Sequence, residues 1–384
     1  MANEPVTTRT HLHSSHEGNL VSYTRTGGAA AIALAGAVLL SSCATNENGP
    51  STPSEGALSG SLIGSGASSQ EKAQAEWITR FQLANDDQVT VEYTAGGSGA
   101  GRTDFLSGKV DFVGSDRAFK IGEAVFENDG VCVPEAGIVE FPAYISPIAI
   151  GFNLEGIETL NLDAATIAGI FSNQIANWND PAIAALNPDA TLPDLEITPI
   201  HRSTNSGTTE NFVAYLAAAA PDVWTWEVSG DWPEDLVQGQ DARAETGDVA
   251  EGLGINGTIG YIDASRAPGT TAAVQVGDAF VAYSPEGAAA VVDASPLEDG
   301  RADGDVAVAL DRSTTAAGAY PIVLVSYLIG CADYQDDATA TLVKAFFDYV
   351  VSTEGQATAA EAAGSAPLSE SIAAQASAAI ALIQ

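Results

Sequence analysis

An α/β fold of two lobes joined by two crossings of the chain is what this sequence predicts, and three observations carry the prediction. Strand-like and helix-like periodicities alternate from residue 58 onward, the pattern of a mostly parallel sheet with helices on its faces. Two long apolar, β-branched runs, residues 138–152 and 320–329, read as the crossings; two crossings between two lobes make a hinge with a cleft. Three turns of small residues each open a helix: Gly64-Ser65-Gly66-Ala67-Ser68-Ser69, Gly96-Gly97-Ser98-Gly99-Ala100-Gly101 and Ser203-Thr204-Asn205-Ser206-Gly207-Thr208. In such sheets ligands gather beyond the carboxyl ends of the strands, where these turns fall.

Residues 1–42 have the make-up of an export leader. An apolar run over residues 27–40 follows Arg25; it is too short for a permanent bilayer span and suits the core of a signal peptide. It ends in Leu40-Ser41-Ser42-Cys43. A small-residue pair immediately before a cysteine resembles the bacterial lipoprotein cleavage box, which makes Cys43 the expected lipidation site; an ordinary cleaved secretory peptide is the alternative. Residues 43–56, with Asn, Gly, Pro, Ser and Thr and hardly an apolar side chain, are the expected flexible tether.

The first lobe is drawn over residues 57–144 and 320–384, the second over 145–319. In the first, strand signals at residues 58–63, 89–93 and 110–113 alternate with a helix through Trp77 and Phe81 and a short one through Phe105 and Leu106. In the second, a helix over residues 164–171, a loop at Trp178-Asn179-Asp180-Pro181, a helix after Thr208 and a strand over 257–262 follow. Alanine-rich helices complete the first lobe, with Leu342, Phe346, Phe347 and Val350 in a helical stripe. Cys132 precedes the first crossing and Cys331 follows the second. In an exported chain this pair reads as a disulfide between the two segments of the first lobe, or as two buried thiols.

Acidic residues outnumber basic ones 50 to 14, for a net charge of −36. That excludes nucleic acid and anionic membrane surfaces as partners. The leader explains none of it, since Arg9 and Arg25 balance Glu4 and Glu17.

The stretch from His201 to Phe212 nevertheless has the residues to hold an anion. Phe212, Val213, Leu216 and Ala219 recur at helical spacing, so Ser206, Gly207 and Thr208 should open a helix with free N–H groups. Arg202 can add a five-donor fork, and the Ser206 and Thr208 hydroxyls add short donors. An ordinary helix cap would use the same residue types. Three such turns make the anion reading the stronger one, and Ser68 with Glu71 has the spacing of a capping box in the first. Salt screens exposed carboxylates beyond about 10 Å, so a closed pocket of aimed donors acts at contact range despite the net charge.

In combination these motifs resemble those of the phosphate-binding lipoproteins and periplasmic proteins that feed the Pst-type ABC transporter. The resemblance runs from Leu58 to the last helices and includes Asp111-Phe112-Val113-Gly114-Ser115-Asp116, Trp178 to Ile183, Arg202 to Thr208 and Gly257 to Ile262. It implies a type II periplasmic-binding-protein fold that closes as a monomer on one inorganic phosphate and delivers it to membrane permease subunits, outside the cytoplasm and anchored by lipid on Cys43. The phosphate contacts it implies are Ser68, Ser69, Ser98, Asp116, Arg202, Ser206, Gly207 and Thr208. Ser69 replaces a common aromatic residue, and Thr204 stands where relatives commonly have an aspartate beside the arginine, leaving no obvious group to orient Arg202. Asp116 carries the selectivity logic: an ionised carboxylate only accepts, so among donors it favours an anion that brings a proton, as phosphate does and sulfate does not.

Two other functions compete. A serine-dependent phosphatase or esterase would work through Ser68, Ser98 or Ser206, but beyond the leader the one histidine is His201, beside Arg202, and no Gly-x-Ser-x-Gly elbow is present. A surface interaction protein would keep the anion pocket as a structural remnant. No cofactor or metal is expected.

Overall fold

In the computed structural model, residues 58–126 and 130–384 are described. The leader, Cys43 and the tether lie outside them. The chain begins with parallel βαβ units. Strand β1 (Gly60–Gly66) leads through a short 3-10 turn into helix α1 (Glu71–Ala84), which buries Trp77 and Phe81. Strand β2 (Val89–Thr94), helix α2 (Ser98–Leu106) and strand β3 (Phe112–Ser115) follow, with β2 and β3 both parallel to β1. Glycine is required where β1 ends. Gly66 has φ +138°, and a Cβ there would lie 1.9 Å from the Gly114 carbonyl oxygen, so β1 can approach β3 only because Gly66 carries no side chain at that point.

Strand β4 (Ile138–Phe152) has 15 residues, all but the first buried. At about 3.3 Å per residue it spans about 50 Å, enough to belong to two half-sheets in succession. Beyond it come β5 (Leu160–Leu162), α3 (Ala164–Phe171), α4 (Pro181–Leu186), β6 (Thr198–Arg202), α5 (Gly207–Ala219), β7 (Asp241–Arg243), α6 (Thr246–Gly252) and β8 (Thr258–Asp263). A small sheet is completed by β9 (Ala272–Val276) and β10 (Ala279–Val281), in the order β10-β9-β5. Helix α7 (Pro285–Ala294) precedes the returning strand β11 (Val323–Cys331), and α8 (Asp337–Val351), α9 (Thr353–Ala363) and α10 (Glu370–Ile380) close the chain.

The large sheet has eight strands in the order β2-β1-β3-β11-β4-β8-β6-β7. Its flanks are parallel, but β11 runs antiparallel to β3 and β4, and β4 antiparallel to β8. The expectation of a mostly parallel sheet therefore holds for the flanking βαβ units and not for the centre. The reason is connectivity: β4 leaves the first half and β11 returns to it. Residues 138–147 of β4 pair with β11, and residues 148–152 pair with β8.

The predicted stripe on α8 is the packing surface of the first half. Phe346 lies 5.4 Å from Phe112 and 5.3 Å from Phe81, and Phe347 lies 5.1 Å from Phe141 (ring centroids). Cys132 and Cys331 are joined by a disulfide across 199 positions, linking the approach to β4 with the end of β11. Among the described residues no helix is long and apolar enough to cross a membrane.

Candidate anion-binding site

Strand β6 ends at Arg202, which is 3% exposed. Its guanidinium is fixed on three sides. Nε donates to the Ala244 carbonyl at 2.6 Å, and Nη1 donates to the hydroxyls of Ser68 and Ser206, each at 3.1 Å. Nη2 donates to the Thr204 hydroxyl at 3.1 Å, and the Glu245 carboxylate lies 3.9 Å away. The group that orients Arg202 is therefore a carbonyl on the loop before α6, helped by Thr204, whose own hydroxyl donates to the same carbonyl at 2.9 Å. Burial lowers the Arg202 pKa, while Tyr261, Glu245 and Asp116 oppose that shift.

Ser206 has extended backbone, and its hydroxyl accepts from the Thr209 N–H at 3.3 Å. The helix cap is thus formed, and the same oxygen also accepts from Arg202. The amides of Gly207 and Thr208, first in α5, have no intrahelical acceptor. Gly207 must be glycine. A Cβ there would sit 2.5 Å from the Asp116 Cβ and 2.7 Å from the Ser98 hydroxyl oxygen.

Asp116 follows β3 and is 2% exposed. Its carboxylate collects hydroxyl hydrogens from Ser69 (2.7 and 2.8 Å), Thr208 (3.1 Å) and Ser326 (2.6 Å). Its N–H donates to the Ser98 hydroxyl at 3.1 Å. Burial pushes its pKa up, and the three hydroxyl bonds and the Arg202 charge pull it back. All eight residues singled out from the sequence, Ser68, Ser69, Ser98, Asp116, Arg202, Ser206, Gly207 and Thr208, meet in this one place.

The capping box expected at Ser68 and Glu71 does not form. Ser68 lies in the 3-10 turn, no side chain caps that turn or α1, and the Ser68 hydroxyl faces Arg202 and the Thr246 hydroxyl (2.9 Å). A charged donor and a hydroxyl from distant segments have taken the acceptor that a local cap would use.

Several contributors were not singled out from the sequence. Thr246 pairs with Ser68; Asn211 donates to the carbonyls of Asp116 (2.5 Å) and Gly207 (2.9 Å), tying the end of β3 to the start of α5. Arg312 donates to Asn211 and to the Val323 carbonyl. Arg102 is buried with the Ser115 hydroxyl as its nearest acceptor at 2.8 Å, and burial lowers its pKa to about 10. Asp263 at the end of β8 accepts from the Tyr144 hydroxyl at 3.1 Å, and burial pushes it up to about 6. Ser326 had one legible signal, a single serine within the apolar run of β11, whose small hydroxyl needs a partner if buried. The others depend on contacts between remote segments.

Arg202, Thr208, Thr246, Tyr261 and Asp263 wall a small internal space. Beside Asp116 a larger cavity of about 440 Å³ is lined by Arg117, Lys120, Glu210, Arg301 and Arg312. Of the 14 Lys and Arg in the chain, four line that cavity, and Arg102 and Arg202 sit by the buried site. A strongly acidic chain has gathered its scarce cations here. His201 takes no part in a serine–base pair: Nδ1 lies 2.9 Å from the Arg202 carbonyl, and the ring stacks on Trp232 at 5.1 Å.

A family model described as a PBP superfamily domain matches residues 51–354. The phosphate-binding protein PstS 3 of Mycobacterium tuberculosis is 32% identical over 348 residues, covering 85% of this chain and 90% of that protein. PstS 2 of the same organism is 32% identical over 376 residues, covering 93% and 98%. Among solved structures, a high-affinity periplasmic phosphate-binding protein (PfluDING) with bound phosphate superposes with a TM-score of 0.64 at 22% identity, covering 82% of this chain and 92% of that one. A phosphate ABC transporter substrate-binding protein of Clostridium perfringens gives 0.56 at 20% identity, covering 79% and 98%. With an antiparallel pair of crossing strands between parallel flanks and with these relatives spanned almost end to end, the chain belongs to the PstS family of phosphate-binding proteins, of the PBP superfamily and the type II periplasmic-binding-protein fold.

Proposed function

We propose that the protein captures inorganic phosphate outside the cytoplasm and hands it to the membrane permease of an ABC importer. The observation that carries this reading is the chemistry around Asp116. The Asp116 carboxylate stands among serine and threonine hydroxyls, the helix-start amides of Gly207 and Thr208 and a buried arginine, so around it the pocket offers many donors to one acceptor. Monohydrogen phosphate has the complementary set, several acceptor oxygens and one donor hydroxyl. The hydroxyls that now bond to one another and to Asp116 would turn toward the ligand as it enters.

In this reading residues 57–144 and 320–384 form lobe I, residues 145–319 form lobe II, and β4 and β11 are the hinge. The change in β4 pairing partner between residues 147 and 148 supports a boundary close to that position. Arg202 bonding to Ser68, and Thr208 to Asp116, would be contacts across the cleft. Arg117 with Glu210 at 2.8 Å, and Arg266 with Glu71, would be ion pairs at its rim.

Transport rather than hydrolysis is supported by the hydroxyl partners of Ser68, Ser69, Ser98 and Ser206, which among the described residues include no histidine. The leader sequence, the lipidation box at Cys43 and the Cys132–Cys331 disulfide support an extracytoplasmic, lipid-anchored location. Titration calorimetry of the phosphate-stripped protein with phosphate, arsenate and sulfate tests the proposal. Tight binding of phosphate and arsenate and weak binding of sulfate are expected; absence of phosphate binding would overturn it.

A further inference from the structure

Asp116 can discriminate a protonated oxyanion only if its carboxylate is ionised and turned the right way. Two of its donors, Ser69 and Thr208, belong to the pocket and can rotate toward a ligand. The third, Ser326, cannot. Its hydroxyl accepts from Gln70 Nε2 at 2.6 Å, and the same Nε2 donates to the Tyr327 carbonyl at 3.1 Å. A carbonyl only accepts, so that contact fixes which end of the Gln70 amide faces β11. Gln74 Nε2 donating to Gln70 Oε1 at 2.8 Å fixes the other end. With an N–H pointing at its oxygen, Ser326 has one hydrogen to give, and Asp116 Oδ1 at 2.6 Å is where it goes.

The backbone is shaped for this contact. The β11–β4 ladder changes register between Ser326 and Tyr327: Ser326 stands opposite Tyr144, whereas Tyr327 stands opposite Pro142. Proline brings no N–H to the ladder, and a bulge re-aims the side chains beside it. Ser326 is fully buried, so nothing but these groups competes for its hydrogen.

We propose that Ser326, locked by Gln70, is the positioning residue that sets the selectivity of the site, by committing Asp116 Oδ1 to a permanent donor and leaving Oδ2 as the acceptor that reads the proton on the ligand. The inference rests on the phosphate reading above. Losing this donor destabilises the ionised carboxylate, so Asp116 holds its proton to higher pH. A protonated Asp116 can donate to sulfate, and its remaining neutral carbonyl oxygen accepts the proton of phosphate only as a weaker, uncharged acceptor.

The test compares wild type with Ser326→Ala, Ser326→Cys and Ser326→Thr, each stripped of phosphate and checked for fold by circular dichroism. Phosphate and sulfate affinities are measured from pH 5 to pH 8.5. The ligand's own ionisation is common to all variants, so differences between their pH profiles report Asp116. Loss of one hydrogen bond to a charged group predicts roughly tenfold weaker phosphate binding in Ser326→Ala. The phosphate-to-sulfate ratio should narrow by a similar factor, most strongly at acid pH, with the low-pH fall-off moved to higher pH. Ser326→Cys, nearly isosteric with a poor donor, should follow the same direction and decides the matter if the alanine variant does not fold; Ser326→Thr should restore the wild-type profile. Unchanged ratio and pH profile in Ser326→Ala or Ser326→Cys, with wild type binding phosphate, would overturn this inference alone. Failure of wild type to bind phosphate would remove it together with the functional reading.

Discussion

Arg202 donates to the hydroxyl of Ser68 at 3.1 Å across 134 positions of sequence, so the guanidinium at the end of β6 and the turn after β1 share one hydrogen bond inside the protein. The same Nη1 atom reaches Ser206 on its own loop. Arg202 thereby joins two of the three small-residue turns, and Asp116, through Ser69, Thr208 and the Ser98 hydroxyl, joins all three.

Arg202→Ala should cripple phosphate binding. The change removes a buried cation and leaves the Ser68 and Ser206 hydroxyls without their donor, a loss of about 2–5 kcal/mol, or roughly 30-fold to several thousandfold in Kd. Calorimetry at fixed ionic strength measures it. A variant that binds as tightly as wild type would remove Arg202 from the site.

Asp116→Asn should narrow the preference for phosphate over sulfate. The amide can donate as well as accept, so a fully ionised oxygen no longer meets an acceptor-only group. A shift of about tenfold in the ratio follows from about 1–3 kcal/mol per unsatisfied buried group. An unchanged ratio contradicts the proton-reading role.

Gly207→Ala should abolish high affinity while leaving the fold in place. Alanine is tolerated at the start of a helix, but here its methyl must displace Asp116 or Ser98, since the nearest side-chain atoms would lie 2.5 and 2.7 Å away. Wild-type affinity in a folded Gly207→Ala protein would show that α5 and Asp116 do not close on a common ligand.

Asp263→Asn should flatten the pH dependence of stability between about pH 4 and 6. The ordinary Asp pKa is about 4, and burial lifts Asp263 in the folded protein to about 6. Below about pH 4 the group is protonated in both states and has no effect. As pH rises through the window, the unfolded chain releases the proton first, so the wild type loses stability; the full cost, about 1–3 kcal/mol, is reached above pH 6. Urea midpoints in phosphate-free buffer should match at pH 4 and favour the variant at pH 7. A pH-independent difference would refute the assignment.

Removing the disulfide by changing Cys132 and Cys331 to Ser should lower stability by about 2–5 kcal/mol, through the unfolded chain's gain in freedom. Thermal melts with and without reductant check it, and equal midpoints would refute it.

Local patterns sufficed for much of this protein. Period-3.6 stripes such as Leu342, Phe346, Phe347 and Val350, the β-branched run of β4 and the glycine-rich turns report short-range preferences, and for that reason the turns that meet around Asp116 and Arg202 were legible as turns. The expected capping box was legible too, and wrong, because Ser68 found a better partner in Arg202 than its own helix offered. What orients Arg202 was not legible: the Ala244 carbonyl is a backbone group that any residue would supply, brought there by the path of β7 into α6.

The sequence by itself determined which residue types stand at the ends of the strands: turns of glycine, serine and threonine after three of them, with Asp116 and Arg202 among them. Only the tertiary structure decided that Ser326 faces Asp116, that Asn211 ties β3 to α5, and that the central strands run antiparallel. Periodicity records the neighbours a residue has along the chain, whereas those pairings depend on where a strand returns after about two hundred residues and which way a bulge turns its side chains.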